Sequence, residues 1–194
     1  MNFIELNPPV IELPETQSWH RVQRTKAIRG SVRVNGHILP PTGLLTGRFD
    51  LPDEPVSYVA DSEDTALYEA VFRREIHSYP LERLRERSLV TFQATGRLRV
   101  AGVRGLEEQH PVLQSARYVI TREFALDCRD RGLDGILYAS AQHANHGCVC
   151  LFEAGIRKLR RSKATPLVKP GTDQLHRAVV RTSHGSRVPI DATT

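Results

Sequence analysis

Residues 56–72, VSYVADSEDTALYEAVF, carry the clearest fold signal, because the pattern changes there from strand to helix within a few positions. Residues 56–60 alternate in polarity and favour extended backbone, so they predict a strand. Asp61 or Ser62 then supplies a helix N-cap, and the acidic residues that follow favour the helix dipole. The apolar spacing predicts a helix that continues to about His77. The stretch therefore predicts one strand and one helix in direct succession.

Further strands and a second helix are predicted on either side of this stretch. The second helix covers residues 115–131, where apolar residues recur at spacing four (Ala116, Ile120, Phe124 and Cys128) and Gly132 ends the helix. The other predicted elements are strands at 19–23, 88–95, 97–101 and 134–139, an antiparallel neighbour of the last at 147–152, and a loop or hairpin at 30–50. Strands and helices mixed along one chain indicate an α/β (α+β) fold.

Length and composition favour one globular domain with two peripheral segments. The chain has 194 residues, of which 40% are hydrophobic and 25% are charged, as in an ordinary globular protein. The first 18 residues contain Pro8, Pro9 and Pro14, and they predict an extended arm on the surface. The last residues are polar and predict a loosely held tail. The chain is therefore divided into an arm (1–18), a domain (19–165) and a tail (166–194).

The charge of the chain indicates an anionic ligand. The formal net charge is +5 and the pI is about 9.4, which suits a phosphorylated small molecule, an acidic partner or a nucleic acid. The longest basic run, at 157–161, is too short for a nucleic-acid arm, and no aromatic residues alternate with a basic stripe. No window reaches the length of a membrane span. We therefore expect no direct contact with nucleic acid or membrane.

The segment HANHGCVC raises the question of a metal site, but its spacing favours a packed core. Cys148 and Cys150 have apolar neighbours in a predicted strand and point to one face, as core thiols do. A structural zinc site usually presents two well-separated ligand pairs, whereas His143 and His146 directly precede the cysteines. We expect no bound metal. The N-terminus lacks the apolar run of a secretory signal, and the cysteines suit a reducing cytoplasm, which is the expected location.

Glu69 is the first candidate for chemistry. On a helical wheel it lies at the edge of the apolar stripe, between Ala66 on one side and Phe72 on the other. A carboxylate flanked by apolar side chains is partly desolvated, so its charge acts strongly on a neighbouring group. The structural alternative is a glutamate that pairs with Arg73, one turn along the helix.

Two arginines and two polar residues complete the candidate set. Arg21 lies inside a predicted strand among apolar neighbours, and Arg48 follows a glycine in a turn. A buried guanidinium needs a partner, which is either a protein carboxylate or a phosphate held by two parallel hydrogen bonds. Tyr58 and Ser140 lie near the C-terminal ends of predicted strands, where polar residues often line clefts. A serine at such a place is otherwise a turn residue.

The order of these residues resembles the RES-domain family, bacterial toxins named for an Arg, a Glu and a Ser in their active site. The matching segments are WHRV around Arg21, TGRFD around Arg48, VSYVADSEDTALYEAVF with Tyr58 and Glu69, and DGILYASAQH with Ser140. The match covers residues 19–152. Four segments in one order and spacing are far more specific than any one of them.

The resemblance implies a compact single domain similar to ADP-ribosyltransferases, with small central sheets around an NAD cleft and flanking helices. It implies an enzyme that degrades NAD by cleaving the bond between nicotinamide and ribose. Inorganic phosphate (phosphorolysis) or water is the acceptor, and no cofactor is bound permanently. The implied partner is an antitoxin with a helix-turn-helix domain that blocks the cleft, and a homo-oligomer within such a complex is left open.

The resemblance also gives each candidate a role. Glu69, Arg48 and Ser140 are the expected catalytic residues, and Arg21 and Tyr58 are the expected substrate-binding residues. Glu69 would stabilise positive charge on the ribose and hold a ribose hydroxyl. The two arginines would bind the pyrophosphate or the attacking phosphate, Tyr58 would stack on the nicotinamide, and Ser140 would hydrogen-bond the nucleotide or the phosphate.

Several functions stay open at the level of sequence. Gln142 stands where some relatives have a basic residue, so phosphorolysis and hydrolysis are not separated. A transferase that attaches ADP-ribose to a macromolecule would keep the same fold and change the acceptor. From other classes, a non-enzymatic nucleic-acid-binding module and an inactive scaffold protein are the alternatives.

Overall fold

The computed structural model describes residues 2–114 and 118–191. The helices within these ranges are α1 (Phe3–Leu6), α2 (Glu63–Ala70), α3 (Leu81–Arg85), α4 (Val119–Asp130), α5 (Glu153–Arg157) and α6 (Arg177–Ser186), with a short 3₁₀ helix at Pro111–Gln114. The strands are β1 (Val10–Leu13), β2 (Ser18–Arg24), β3 (Val32–Val34), β4 (His37–Leu39), β5 (Ser57–Ala60), β6 (Tyr79–Pro80), β7 (Arg87–Ala94), β8 (Leu98–Gly102), β9 (Gly135–Ala139), β10 (Gly147–Leu151), β11 (Leu159–Pro166) and β12 (Ile190–Asp191).

One curled sheet forms the centre of the molecule. Its strand order is β1-β8-β9-β10-β5-β2-β7-β11, and two-stranded sheets of β3 with β4 and of β6 with β12 lie outside it. Within the central sheet β8 and β9 run parallel, and the other neighbouring pairs are antiparallel. The mixed α/β fold with flanking helices is thus confirmed, although one large sheet replaces the small central sheets that were expected.

The junction of β5 and α2 begins as predicted and ends earlier. Ser62 is the N-cap, and its side-chain oxygen accepts a hydrogen bond from the backbone N–H of Thr65 at 3.1 Å. The prediction of a helix to about His77 is wrong, because α2 ends at Ala70. The backbone N–H of Phe72 bonds to the carbonyl of Leu67, five residues back, and this turn places the Phe72 ring in the core.

Strand β10 is buried along its whole length and separates two parts of the core. Cys148 and Cys150 point to one side of the sheet, and Val149 and Leu151 point to the other. Both cysteines are free thiols, and burial raises the pKa of each. The expectation of core thiols is therefore confirmed.

Two predicted segments differ from the structure in detail. The strands expected at 88–95 and 97–101 exist as β7 and β8, but they lie in different parts of the sheet and do not pair with each other. The helix expected at 115–131 is described from Val119 onward, and residues 115–117, including Ala116, lie outside the described residues. Ile120 was expected to face the core and is exposed, whereas Thr121 takes the inward position.

Neither terminal segment is loosely attached. The N-terminal segment was expected to lie on the surface, but β1 pairs with β8 as an edge strand, and Leu13 is buried. The C-terminal segment was expected to be a loose tail, but α6 packs against α2 and buries Ala178 and Val179. Both segments are mostly polar, so the few apolar residues that attach them to the rest of the fold do not form a recognisable pattern in the sequence. The domain boundaries at 18 and 165 stay a prediction.

Among the helices of the described residues, none is long and apolar enough to cross a membrane.

Candidate active site

A cleft of about 620 Å³ brings four of the five candidate residues together. Arg21, Arg48, Tyr58 and Glu69 all line it, and Ser140 reaches it through its hydrogen bond to the Glu69 carboxylate. This volume suits a small-molecule ligand. The cleft lies where β2, β5 and α2 meet, and the loop that precedes β5 forms another wall.

The order of the strands explains why Ser140 meets Glu69 across a separation of 71 positions. Strands β9 and β5 both pair antiparallel with β10, so they run in the same direction and end at the same edge of the sheet. Ser140 directly follows β9, and α2 begins just after β5. Ser140 and the helix that carries Glu69 therefore lie at the same edge of the sheet.

The Glu69 carboxylate is held by the loop that follows β9. The hydroxyl of Ser140 donates to Glu69 Oε1 at 2.5 Å, and the backbone N–H of Gln142 lies 3.4 Å from the same oxygen. Within the described residues, Oε2 accepts no hydrogen bond. Glu69 is half-buried, so one carboxylate oxygen is fixed while the other is left for a ligand.

The structural alternative for Glu69, an ion pair with Arg73, is absent within the described residues. Arg73 Nε donates to the backbone carbonyl of Glu69 at 2.7 Å, not to its carboxylate. Arg73 Nη1 lies 3.8 Å from the carboxylate of Glu75, and both of those side chains are largely exposed. The charge of Glu69 is therefore not neutralised by the neighbour that the helix offers.

Arg21 is a half-buried cation without a carboxylate partner in residues 2–114 and 118–191. Its Nη1 donates to the backbone carbonyl of Tyr58 at 2.8 Å, and its Nε is buried with no hydrogen-bond partner there. Burial lowers the pKa of Arg21 to about 10, and the nearby guanidinium of Arg87 acts in the same direction. A guanidinium in this state has hydrogen-bond donors left for an anion.

Arg48 is carried by a turn that Tyr58 holds in place. The Tyr58 hydroxyl donates to Asp50 Oδ1 at 2.8 Å and accepts from the backbone N–H of Phe49 at 2.9 Å. Asp50 Oδ2 accepts from the backbone N–H of Gly47 at 2.5 Å. A Cβ on Gly47 would lie 2.4 Å from both the Tyr58 hydroxyl and Asp50 Oδ1, so only glycine fits this turn.

Helix α4 supports the same turn from the other side. The Thr121 hydroxyl donates to the carbonyl of Arg48 at 2.6 Å. Arg122 donates from Nε to the carbonyl of Gly47 at 3.2 Å and from Nη2 to the carbonyl of Leu45 at 2.5 Å. The backbone around Arg48 is thus fixed from both sides, which fits a side chain that must be placed accurately.

Sequence reasoning missed several residues of the cleft. Arg87 lines it, and within the described part of the chain neither Arg87 nor Arg48 pairs with a carboxylate. Asp50 lay inside the quoted TGRFD segment, and its spacing from Gly47 was a turn signal that could have been used. Tyr138 also lines the cleft, where its ring packs against the ring of Tyr58 with centroids 6.5 Å apart.

The position of Tyr58 is compatible with its expected role and adds a second one. Its side chain lines the cleft, but its hydroxyl is fully used by the Arg48 turn. Burial raises the pKa of this hydroxyl well above its ordinary value, so it stays protonated as a donor to Asp50. Stacking on nicotinamide stays a prediction.

The loop that carries Ser140 also carries the histidines of the HANHGCVC segment. His143 and His146 stack in parallel, with ring centroids 3.9 Å apart. Each binds the beginning of α2, His143 through Thr65 and His146 through Asp61. Across the described residues, no three His, Cys, Asp or Glu side chains are grouped as they would be around a metal ion.

The fold and the site together define a mixed α/β protein. Its cleft joins a fixed carboxylate to arginines that pair with no carboxylate of the described residues. A sequence profile of the RES domain matches residues 18–173, which is most of the chain, and the protein therefore belongs to the RES-domain family. The resemblance of the four segments is thus confirmed. The matched region also extends beyond residue 165, where the domain was expected to end.

A solved structure supports the fold. It is described as the crystal structure of the M. tuberculosis MbcT-MbcA toxin-antitoxin complex. The matched chain has a TM-score of 0.58 and 15% sequence identity, and the match covers 81% of this chain and 86% of that chain. Identity at this level shows a shared fold. No curated protein sequence matches the chain significantly.

Proposed function

We propose that the protein is an enzyme that cleaves the nicotinamide–ribose bond of NAD and acts as the toxin of a toxin–antitoxin pair. The observation that carries this proposal is the Glu69 carboxylate, which Ser140 holds at 2.5 Å in a cleft shared with Arg21 and Arg48. Membership of the RES-domain family supports the same reading.

The charges of the cleft match those of NAD. The pyrophosphate of NAD carries two negative charges, and Arg21, Arg48 and Arg87 offer guanidinium groups that no carboxylate of the described residues neutralises. Bidentate hydrogen bonds from arginine suit phosphate oxygens. Because the pyrophosphate lies between the two nucleosides, its binding at the arginines would leave the nicotinamide riboside within reach of the carboxylate.

Glu69 suits the charge that develops during bond cleavage. The bond from ribose C1′ to the nicotinamide nitrogen breaks, and its electron pair leaves with nicotinamide, which becomes neutral. Positive charge develops on the ribose ring, and a fixed carboxylate in a partly desolvated site stabilises it. The free Oε2 of Glu69 is the atom to hold a ribose hydroxyl, because Oε1 already accepts from Ser140.

Ser140 acts mainly on Glu69 in this scheme. Its hydroxyl hydrogen is committed to the carboxylate, and its oxygen accepts from the backbone N–H groups of His143 at 3.0 Å and Gln142 at 3.3 Å. This arrangement favours orientation of the carboxylate over direct contact with the nucleotide, the role that the family resemblance had implied.

The acceptor is an oxygen nucleophile that bonds to C1′. With phosphate, the product is ADP-ribose phosphate, and no proton has to be removed if a dianion attacks. With water, the product is ADP-ribose, and one proton is released. The extra arginine at position 87 favours phosphate, because a second anion beside the pyrophosphate needs further positive charge.

The direct test is to incubate the purified protein with NAD in phosphate-free buffer and in phosphate, and to identify products by chromatography and mass spectrometry. Nicotinamide release that depends on phosphate, together with ADP-ribose phosphate, is the expected result. Release without phosphate would assign hydrolysis. Transfer of labelled ADP-ribose to added macromolecules would assign the transferase, and intact NAD under all conditions would refute the enzymatic proposal.

The toxin role is tested in cells. The similar chain in the solved toxin–antitoxin complex supports a protein partner, and the unpaired arginines suggest that this partner supplies a carboxylate or a chain terminus to the cleft. Unregulated expression in bacteria should lower cellular NAD before growth stops, and Glu69→Ala should do neither. Growth arrest by both forms with NAD unchanged would contradict the proposal.

A further inference from the structure

Two hydrogen bonds connect His143 to the Glu69 carboxylate, and a third binds His143 to the helix that carries Glu69. The His143 backbone N–H donates to Ser140 Oγ at 3.0 Å, and the Ser140 hydroxyl donates to Glu69 Oε1 at 2.5 Å. On its other side, His143 Nδ1 lies 2.8 Å from Thr65 Oγ1, and the Thr65 backbone N–H bonds to the N-cap side chain of Ser62 at 3.1 Å.

The geometry of α2 makes this connection a closed ring. Thr65 and Glu69 are four residues apart, so they lie on the same side of the helix, one turn from each other. The loop therefore binds α2 itself at two points, at Thr65 through His143 and at Glu69 through Ser140. Further contacts reach Asp61 just before the helix and Arg74 beyond its end. The His143–Thr65 bond is the attachment one helical turn from Glu69, so it restrains the loop beside the carboxylate.

The Thr65 hydroxyl lies at the centre of a small hydrogen-bond cluster. Its Oγ1 lies 2.8 Å from His143 Nδ1, 2.7 Å from Ser62 Oγ and 3.1 Å from Asp61 Oδ1. The Nδ1 atom of a neutral imidazole donates in one tautomer and accepts in the other, and a hydroxyl can do either. The contact between Thr65 and His143 therefore forms with either tautomer of the histidine.

His146 keeps the His143 ring in this orientation. The two imidazoles are nearly parallel, with an angle of 8° between the rings and centroids 3.9 Å apart. His146 Nδ1 lies 3.0 Å from Asp61 Oδ1, and Asp61 Oδ2 accepts from the backbone N–H of Gly147 at 2.7 Å. The stack thus limits rotation of His143 away from Thr65.

We propose that His143 is a positioning residue, which fastens the Ser140 loop to α2 through the His143–Thr65 hydrogen bond and so holds the Glu69 carboxylate in its working orientation. The effect on catalysis rests on the proposed NAD cleavage, whereas the hydrogen bond itself does not. His143 is not placed among the groups that touch the nucleotide. Its loss should change the rate of the chemical step more than substrate binding.

The kinetic test compares His143→Ala, His143→Asn and the control His77→Ala, which removes an exposed histidine outside the cleft. The asparagine side-chain amide offers both a donor and an acceptor in place of Nδ1, while alanine offers neither. We expect kcat for NAD cleavage to fall about tenfold in the alanine variant, with KM changed less than about twofold. The asparagine variant should recover kcat to within about threefold of wild type, and the control should match wild type.

Two kinetic outcomes would overturn the assignment. One is an alanine variant with the kcat of the control, and the other is an asparagine variant as slow as the alanine variant. A purely structural role would lower the melting temperature of both His143 variants in parallel with their rates, so thermal unfolding is measured on all four proteins.

A spectroscopic test does not depend on activity or on the folding of a variant. In long-range ¹H–¹⁵N correlation spectra of the wild-type protein at pH 7.5, the Nδ1 chemical shift of His143 should differ from that of the exposed His77 because of the hydrogen bond to Thr65. Equal Nδ1 shifts at the two histidines would refute the contact. If the wild-type protein leaves NAD intact, the proposed function fails. The Nδ1 chemical shift then still decides whether His143 makes the bond to Thr65.

Discussion

Replacement of Arg21 by methionine should stabilise the protein while it destroys the anion site. The pKa of Arg21 is lowered to about 10 from 12.5 by burial, so the folded chain bears a free-energy cost at every pH below about 10. As the pH rises from 10 towards 12.5, the folded chain loses this proton and the cost disappears. The full cost is therefore present at neutral pH.

The size of the effect follows from the same shift. A change from 12.5 to about 10 corresponds to about 3 kcal/mol. The Arg21→Met variant also loses the hydrogen bond from Nη1 to the Tyr58 carbonyl, which contributes about 1–2 kcal/mol because its donor is charged. Methionine fills similar space without a charge. The free energy of unfolding should rise by about 1–2 kcal/mol in Arg21→Met.

Urea unfolding at pH 7.5, followed by far-UV circular dichroism, measures this change. A parallel thermal assay adds inorganic phosphate or ADP-ribose, either of which should raise the melting temperature of the wild type more than that of the variant. A variant that is less stable than wild type by more than about 1 kcal/mol would contradict the expected gain in stability. If it also kept the full stabilisation by phosphate, Arg21 would not belong to the anion site. Arg21 would then be a structural residue.

Three further predictions concern the rest of the site. Glu69→Ala should lower NAD cleavage at least about 100-fold. It should cost little stability, because an edge position leaves little cavity. Glu75→Ala is the matched control, and a folded Glu69 variant with near wild-type activity would exclude the catalytic role. Arg48→Lys should reduce kcat/KM by more than about tenfold despite the retained charge, because lysine lacks the planar guanidinium that makes two parallel hydrogen bonds. The control Arg83→Lys should have no effect. Equal kinetics of the two variants would show that Arg48 has only a structural role. Elemental analysis should find no stoichiometric metal, and about one zinc per chain that is lost in Cys148→Ser would overturn this.

Residues of the candidate site were predictable where their position at the cleft follows from the pattern of their own strand or helix. Glu69 was identified from its place at the edge of an apolar stripe, and Arg21 from its place within an apolar strand. Both line the cleft. Arg87 begins a strand among other arginines and glutamates, and nothing local separates it from an ordinary surface residue. Only the pairing of β7 with β2 brings it towards Arg21.

The terminal segments show a second limit of local patterns. Strand β11 is almost wholly exposed and carries polar residues, because it pairs with β7 along only one edge. Helix α6 buries Ala178, Val179 and Thr182 against α2, and apart from the exposed Val180 and from Gly185 its other residues are polar. Segments that bury so little apolar surface have weak periodicity, so their attachment depends on a partner that the local sequence does not reveal.

The sequence by itself determined the mixed α/β class, a helix N-cap at Asp61 or Ser62, the buried thiols of β10 and the order of the four family segments. These features depend on neighbouring residues, and local sterics, capping and hydrophobic periodicity report them directly. The tertiary structure alone decided that Ser140 donates to Glu69 and that Tyr58 holds the Arg48 turn. The Ser140 contact depends on β9 and β5 both pairing with β10, and pairing over such distances along the chain is set by the whole sheet.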